Sequence, residues 1–146
     1  MKKGYTLIEL IIVLAIISIL ILPSINISKS YSESIMRIKG KSIANEIGNL
    51  ISYGKYYCRY YDILGLIEIN KEEGKIVFKD ISGRTKIIKT ILLEDGFKFV
   101  TNDTFSISKL GSIQKSDTIR VIDKNGKLYK VTISTGIGSV NIYEGD

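Results

Sequence analysis

From Tyr5 to Ile27 the chain is an almost unbroken run of aliphatic side chains, interrupted early by one carboxylate, Glu9, and late by Pro23. That length matches the ~20 apolar residues a helix needs to cross a bilayer. Further on, Tyr31, Ile35, Ile38, Ser42, Ile47, Leu50 and Gly54 recur at intervals of three to five residues, close to one face of an amphipathic helix. Pro23 predicts a kink, because proline removes a helical donor and clashes with the preceding turn. Gly40 and Gly48 each weaken a helix by about 1 kcal/mol relative to alanine, which predicts a bend or local melting.

From about Ile63 the period shortens to that of strands. The segments "ILGLIEI", "KIVFKDI", "TKIIKTILL", "FKFVT", "FSISKL", "TIRVID", "LYKVTIS" and "SVNIY" are rich in Ile, Val, Phe and Tyr and are separated by "KEEG", "SG", "EDG" and "KNG" turns. Asn125-Gly126 predicts a two-residue hairpin. The expected fold is α+β: a long N-terminal helix, its hydrophobic half transmembrane, packed against an antiparallel β-sheet head. No linker-like or low-complexity stretch divides that head, so it counts as one domain.

Composition narrows the chemistry. The chain has 146 residues, 45% hydrophobic and 25% charged with one proline, which fits a folded unit behind an N-terminal segment. Its formal charge of +6 comes without any basic run longer than a pair, the pattern of a solvated lysine-rich surface. Cys58 is the single cysteine and histidine is absent, so an intramolecular disulfide, a zinc cluster and a His-based triad are excluded. Cys58, in "YYCRYYD", reads as a small buried hydrophobe, with an intermolecular disulfide as the alternative. The "GxG" of "TGIGS" lacks the flanking strand and helix of a dinucleotide site and reads as a turn. No catalytic, cofactor or metal site is expected, and no small-molecule substrate.

Three readings of the N-terminus compete. A secretory signal peptide would use Lys2 and Lys3 as its basic region, but "PSINISKS" holds no small-x-small cleavage site and Glu9 interrupts the apolar core. A plain anchor fits the length, with the lysines holding the short end in the cytoplasm, yet leaves Gly4 and Glu9 unexplained. The stretch "KKGYTLIEL" and the aliphatic run behind it resemble the class III leader of type IV pilins and pseudopilins. Tyr5 departs from that pattern, in which phenylalanine is usual, but keeps an aromatic ring.

The resemblance implies that a prepilin peptidase cuts after Gly4 and that the freed amine of Tyr5 is N-methylated. A free α-amine titrates near pH ~8, so it is largely cationic around neutrality. It could meet the Glu9 of a neighbouring subunit, making that carboxylate an assembly and register pin. The expected parts are a cleaved leader over 1–4, a transmembrane and assembly helix over 5–27, its amphipathic continuation over 28–60 and a β-rich head over 61–146. Implied partners are other pilin or pseudopilin subunits, the peptidase, the cytoplasmic membrane and the assembly platform. The head would lie on the extracytoplasmic side of a single span before the subunit enters a surface fibre.

The segment from "FSISKL" to "NIYEGD" resembles minor pseudopilin H of type II secretion, the fimbrial T-type minor pilins and the D-type competence pseudopilin. An arginine expected in the last strand motif is missing, since Ser139 and Val140 follow Gly138. In the T-type proteins that tail carries basic residues implicated in DNA binding. Arg84, Lys86 and Lys89, alternating with apolar residues, are the remaining candidates for a weak nucleic-acid contact, against a solvated strand face. The expected role is a structural minor subunit that initiates or tips the fibre, with a DNA-binding minor pilin acting in DNA uptake as the alternative.

Overall fold

The computed structural model describes residues 6–113, 115–135 and 140–145, and within them every side chain except those of 20–29, 140, 142, 144 and 145. One helix, α1 (Leu7–Tyr61), is followed by eight strands: β1 (Gly65–Asn70), β2 (Lys75–Asp80), β3 (Lys86–Leu92), β4 (Phe97–Phe99), β5 (Thr104–Ile107), β6 (Asp117–Asp123), β7 (Leu128–Ile133) and β8 (Val140–Gly145). Each expected strand segment overlaps one of them. Contacts divide the chain into two compact units, Met1–Arg37 and Ile38–Asp146.

In the first unit, α1 continues through Pro23, whose side chain falls outside those described. From Leu7 to Ile19 its apolar side chains are exposed all round. A helix apolar on every side belongs in a core or a membrane. No helical stretch among the described residues is long and apolar enough to cross a membrane; Tyr5, and the side chains beyond Ile19 in the expected 5–27 span, lie outside them.

In the second unit the strands form two antiparallel sheets, in the orders β3-β2-β1-β5 and β4-β6-β7-β8. Period-two burial gives each sheet one apolar face: Ile67 and Ile69 on β1 and Phe105 and Ile107 on β5 in one, Ile119 and Val121 on β6 and Val131 and Ile133 on β7 in the other. Burying each such side chain contributes about 1.5–3 kcal/mol before entropy is counted. An isolated antiparallel bridge between Ile107 and Ile113 carries the chain from the first sheet toward β6.

The helix face that meets these sheets differs from the one expected. Ile47, Leu50 and Gly54 are buried, but Ile38 is 69% exposed and Ser42 is also exposed. Gly40, Ile43, Ala44, Gly48, Ile51 and Cys58 also lie on the buried face. Small residues are there because aromatic rings come down on the helix backbone. A Cβ on Gly40 would overlap the Tyr129 ring, and one on Gly54 would stand 3.3 Å from the Phe78 ring. Gly40 is therefore a seat for an aromatic side chain in an unbroken helix, where the sequence predicted a bend or local melting.

Both ends of this arrangement are fixed locally. α1 stops at Asp62, the one described non-glycine residue with positive φ (52°), and the Ile63 amide donates to the Cys58 carbonyl at 3.0 Å, closing a Schellman-type end. The hairpin between β6 and β7 is tighter than a simple strand end and longer than the expected two-residue loop. Gly126 N–H donates to the Asp123 carbonyl and Asp123 N–H to the Lys127 carbonyl, both at 3.0 Å, with Gly126 at φ 86°. That is a type I turn closed by a glycine bulge over Lys124, Asn125 and Gly126. The buried Asp123 carboxylate accepts from the Asn125 and Lys127 amides and, through its other oxygen, from the Tyr129 hydroxyl.

Cys58 lies in the core, fully buried under Gly65, where a Cβ would collide with its Sγ. Burial, with Asp80 nearby, pushes the thiol up to about 11. A protonated, enclosed thiol is a poor nucleophile. In the folded chain at pH 8, iodoacetamide should modify Cys58 only as fast as the head unfolds, and denaturant should release rapid labelling. Labelling of the native protein at the rate of a free cysteine would place the thiol at the surface.

The glycine seat gives a second expectation. On an exposed helix Gly→Ala stabilises by about 1 kcal/mol. Gly40→Ala must instead displace the Tyr129 ring, an overpacking that costs about 1–3 kcal/mol. Thermal melts of the full chain in detergent should therefore show a lower Tm for Gly40→Ala and a nearly unchanged one for Gly83→Ala, where a Cβ meets nothing within 4 Å. A rise in Tm for Gly40→Ala would mean that Tyr129 does not rest there.

Candidate functional site

The residues expected to carry function at the N-terminus divide into two groups. Gly4 and Tyr5 lie outside the described residues. Thr6 and Glu9 lie inside them and form a capping box. The Glu9 carboxylate accepts from the Thr6 amide at 2.8 Å and from the Thr6 hydroxyl at 3.0 Å. In return the Glu9 amide points at the Thr6 hydroxyl at 3.4 Å, and the amides of Glu9 and Leu10 donate to the Thr6 carbonyl.

This reciprocal arrangement satisfies amides at the start of α1 that have no partner in the helix itself. An acid in the first turn also complements the positive end of the helix dipole. Thr6 was missed as a functional residue, although the T-x-x-E spacing of "TLIE" just ahead of an apolar run is the signature of such a cap. Hydrogen bonds from Thr6 leave the negative charge of Glu9 in place, because neither donor is cationic.

Arg84, Lys86 and Lys89 do not form the simple alternating face expected of them. Arg84 lies in the turn before β3, and all three are exposed. β3 is an edge strand with a register shift opposite Phe78 and Lys79. Ile88 is the extra residue. It resets the alternation, so Lys86, opposite Asp80, and Lys89, opposite Phe78, stand on one face of the sheet. Lys89 then reaches back over the Tyr53 ring, with its Nζ 5.5 Å from the centroid. That contact turns one of the three charges toward α1.

Elsewhere the surface charges pair among themselves, as in Lys39 with Glu94 at 2.6 Å and Lys109 with Asp62 at 3.0 Å. Exposed pairs of this kind contribute about 0–1 kcal/mol each. Among the described residues no group of three or more Cys, Asp or Glu could hold a metal ion.

Residues 1–25 match the family model described as the prokaryotic N-terminal methylation motif. No curated protein matches the chain. The fold is similar to that of the minor pseudopilin EpsH from the type 2 secretion system of Vibrio cholerae, with a TM-score of 0.60 over 73% of this chain and 97% of that one, at 11% sequence identity. The chain thus joins a prokaryotic N-terminal methylation motif to the pilin-like α+β fold of a minor pseudopilin.

Proposed function

We propose that this chain is a minor pilin or pseudopilin, a structural subunit that initiates or tips a type IV pilus-like fibre. The observation that supports this reading is the coincidence, in one chain, of the methylation motif over residues 1–25 with a head fold that covers 97% of EpsH. In it, Lys2 and Lys3 hold the leader in the cytoplasm. A prepilin peptidase removes residues 1–4 and the amine of Tyr5 is methylated. Residues 5–27 cross the cytoplasmic membrane once, with a kink at Pro23, and the head lies outside until an assembly platform passes the subunit into the fibre. The role is one of assembly, without catalysis.

Glu9 is the residue on which that assembly turns. Its carboxylate is hydrogen-bonded by Thr6, and among the described residues no cation pairs with it. A charge within a membrane helix is costly, up to roughly 2.5–3.5 kcal/mol at the helix centre on insertion scales and less toward its end, where Glu9 lies. The cationic amine of a neighbouring Tyr5 supplies the missing counter-charge, so pairing drives one subunit into register with the next. Cleavage at Gly4 creates that amine, which couples processing to assembly.

Intact-mass analysis of the chain recovered from sheared fibres should give a species beginning at Tyr5 and carrying one added methyl group. Retention of residues 1–4 on assembled protein would refute processing at Gly4.

Glu9→Gln separates the two roles of this side chain. Glutamine at the third helical position preserves a capping box, so α1 starts as before. It cannot neutralise an ammonium, and hydrogen bonds to charged groups contribute about 1.5–3 kcal/mol. Co-expressed with tagged wild type at matched membrane levels, Glu9→Gln should be about tenfold depleted or more in sheared fibres. Equal recovery would leave capping as the whole function of Glu9.

A further inference from the structure

The first sheet ends in β3. Leu92, Thr90 and Ile87 stand opposite Lys75, Val77 and Lys79 of β2, so these three side chains share the face of the sheet turned away from Phe78. Thr90 is exposed, and so are Ile87 at 61% and Leu92 at 68%. Large aliphatic side chains exposed on an edge strand mark a place where another strand can add.

The backbone of this edge is oriented to receive one. The Leu93 amide donates inward, to the Gly74 carbonyl at 2.8 Å. By the alternation of an antiparallel ladder the polar groups of Ile91 also face β2, whereas those of Thr90 and Leu92 face outward. Among the described residues no strand pairs with that outer side. An incoming strand can therefore bond to Thr90 and Leu92 while the β2–β3 ladder stays intact.

Charge selects which strand that is. Arg84 and Lys86 lie at one end of β3, Glu94 and Asp95 follow the other end, and all four are exposed. Glu94 reaches Lys39 through an exposed ion pair, a kind that exchanges at little cost. Lys89, nearest the middle, is turned back onto the Tyr53 ring. Lysines and a bulge are common guards of a sheet edge. Here they repel a strand that is basic at the facing end and admit one that is acidic there. β3 reversed against itself is such a strand. Antiparallel pairing centred on Thr90 sets the basic end of each copy beside the acidic turn of the other, and Leu92 of each beside Ile87 and Ile88 of its partner. Centring on Lys89 would instead set like charges directly opposite each other.

We propose that β3 is the contact of a two-fold dimer, in which two copies of this chain pair their edges antiparallel about Thr90 and join their sheets into one. Contacts between identical patches of two copies are the commonest form of homo-oligomer. The inference rests on the head alone and goes beyond the fibre-subunit reading. A two-fold contact closes on itself and cannot propagate along a filament, so the pair is a state of the chain apart from the assembled one.

Cysteine crosslinking of the full chain, in membranes or in detergent, tests the contact. A hydrogen-bonded antiparallel pair has Cα atoms about 5.5 Å apart, within the roughly 4.4–6.8 Å that a disulfide spans. Thr90→Cys, oxidised with copper phenanthroline, should therefore give a covalent dimer. Native Cys58 is buried, its thiol pushed up to about 11, and stays out of the reaction. Thr104→Cys, also exposed but on β5 at the opposite edge of the sheet, should give about tenfold less, because no contact concentrates it. Added to Thr90→Cys, Leu92→Pro removes an outward amide and an apolar contact but no bond to β2. It should cut the yield about tenfold or more, since symmetry doubles each loss. Arg84→Glu with Lys86→Glu should also cut the yield, and adding Glu94→Lys with Asp95→Lys should restore it, because the pattern is then self-complementary in reverse. Circular dichroism melts will confirm that each variant remains folded.

Absence of a covalent dimer from folded Thr90→Cys would overturn the proposal. So would equal yields from Thr90→Cys and Thr104→Cys, which would mark random collision, or a yield that Leu92→Pro leaves unchanged. An adduct whose mass is not twice that of the chain would overturn it in favour of a different partner. Failure of the second charge reversal to restore the yield in a folded chain would overturn the self-pairing register and the dimer built on it.

Discussion

Two aromatic rings resting on the backbone of one helix hold the head together. Tyr129 reaches Gly40 from the second sheet, and Phe78 reaches Gly54 from the first. A side chain at Gly40 would force the Tyr129 ring away, and one at Gly54 would press against Phe78 and Ile107, disturbing a close-packed interior. The constraint extends outward from each ring. Tyr129 is buried, so its hydroxyl needs a polar partner, and Asp123 provides one at 3.3 Å. Asp123 can do so only because the β6–β7 turn returns the chain through Gly126, with the same carboxylate accepting two turn amides. Turn chemistry, ring position and helix docking are therefore one linked arrangement in which no part is free to vary alone.

The strands were legible because each alternates apolar and polar residues between turn residues, and all eight segments overlap a strand. Their division into two sheets was not. Neighbours in sequence usually pair, but β5 returns to β1, and β4 pairs with β6, across intervening chain. Periodicity records which face of a strand is buried and says nothing of which strand lies beside it. The helix face was misplaced for a related reason. Large apolar residues such as Ile38 drew the predicted stripe, whereas the buried face runs through Gly40 and Ala44, whose small size matters only once the rings of the opposing sheets are known. Likewise Asn125-Gly126 announced a hairpin, but the type I turn with its glycine bulge depends on the Asp123 carboxylate three residues before Gly126. At the candidate site, the N-terminal motif was legible from "KKGYTLIEL", whereas Lys86 and Lys89 share a face only through a bulge that no local pattern announces.

The stretch "YGKYYCRYY" illustrates how a single composition divides between packing and surface. Tyr53 and Tyr57 present edges to Phe78, at 6.3 and 5.8 Å with nearly perpendicular rings, and so extend the helix–sheet contact. Tyr56 and Tyr60 stack on each other one turn apart and face solvent. Cys58, between the two pairs, is fully buried. Tyrosine suits both positions, having an apolar body for packing and a polar tip that tolerates water. The exposed pair needs a different account from the packed pair. An aromatic contact of this kind along a helix contributes only about 0.2–0.5 kcal/mol, too little to offset the exposure of two large rings.

Glu9 presents the complementary problem of a polar group in an apolar run. The capping box satisfies hydrogen bonds at the start of α1, and serine, threonine or asparagine caps with a neutral glutamine would do so as well. What a carboxylate adds is charge, and charge in an apolar environment is a liability unless an opposite charge arrives. Thr6 therefore explains how Glu9 is held without explaining why it is acidic. In the proposed fibre the two roles are consecutive: the cap keeps the carboxylate at a defined place on the first turn, and the amine released at Gly4 converts its charge from a cost into an attraction between subunits. In that proposal the contact depends on a freshly made terminus and exists only for processed chains, so the proposed order of events follows from the electrostatics of a single side chain.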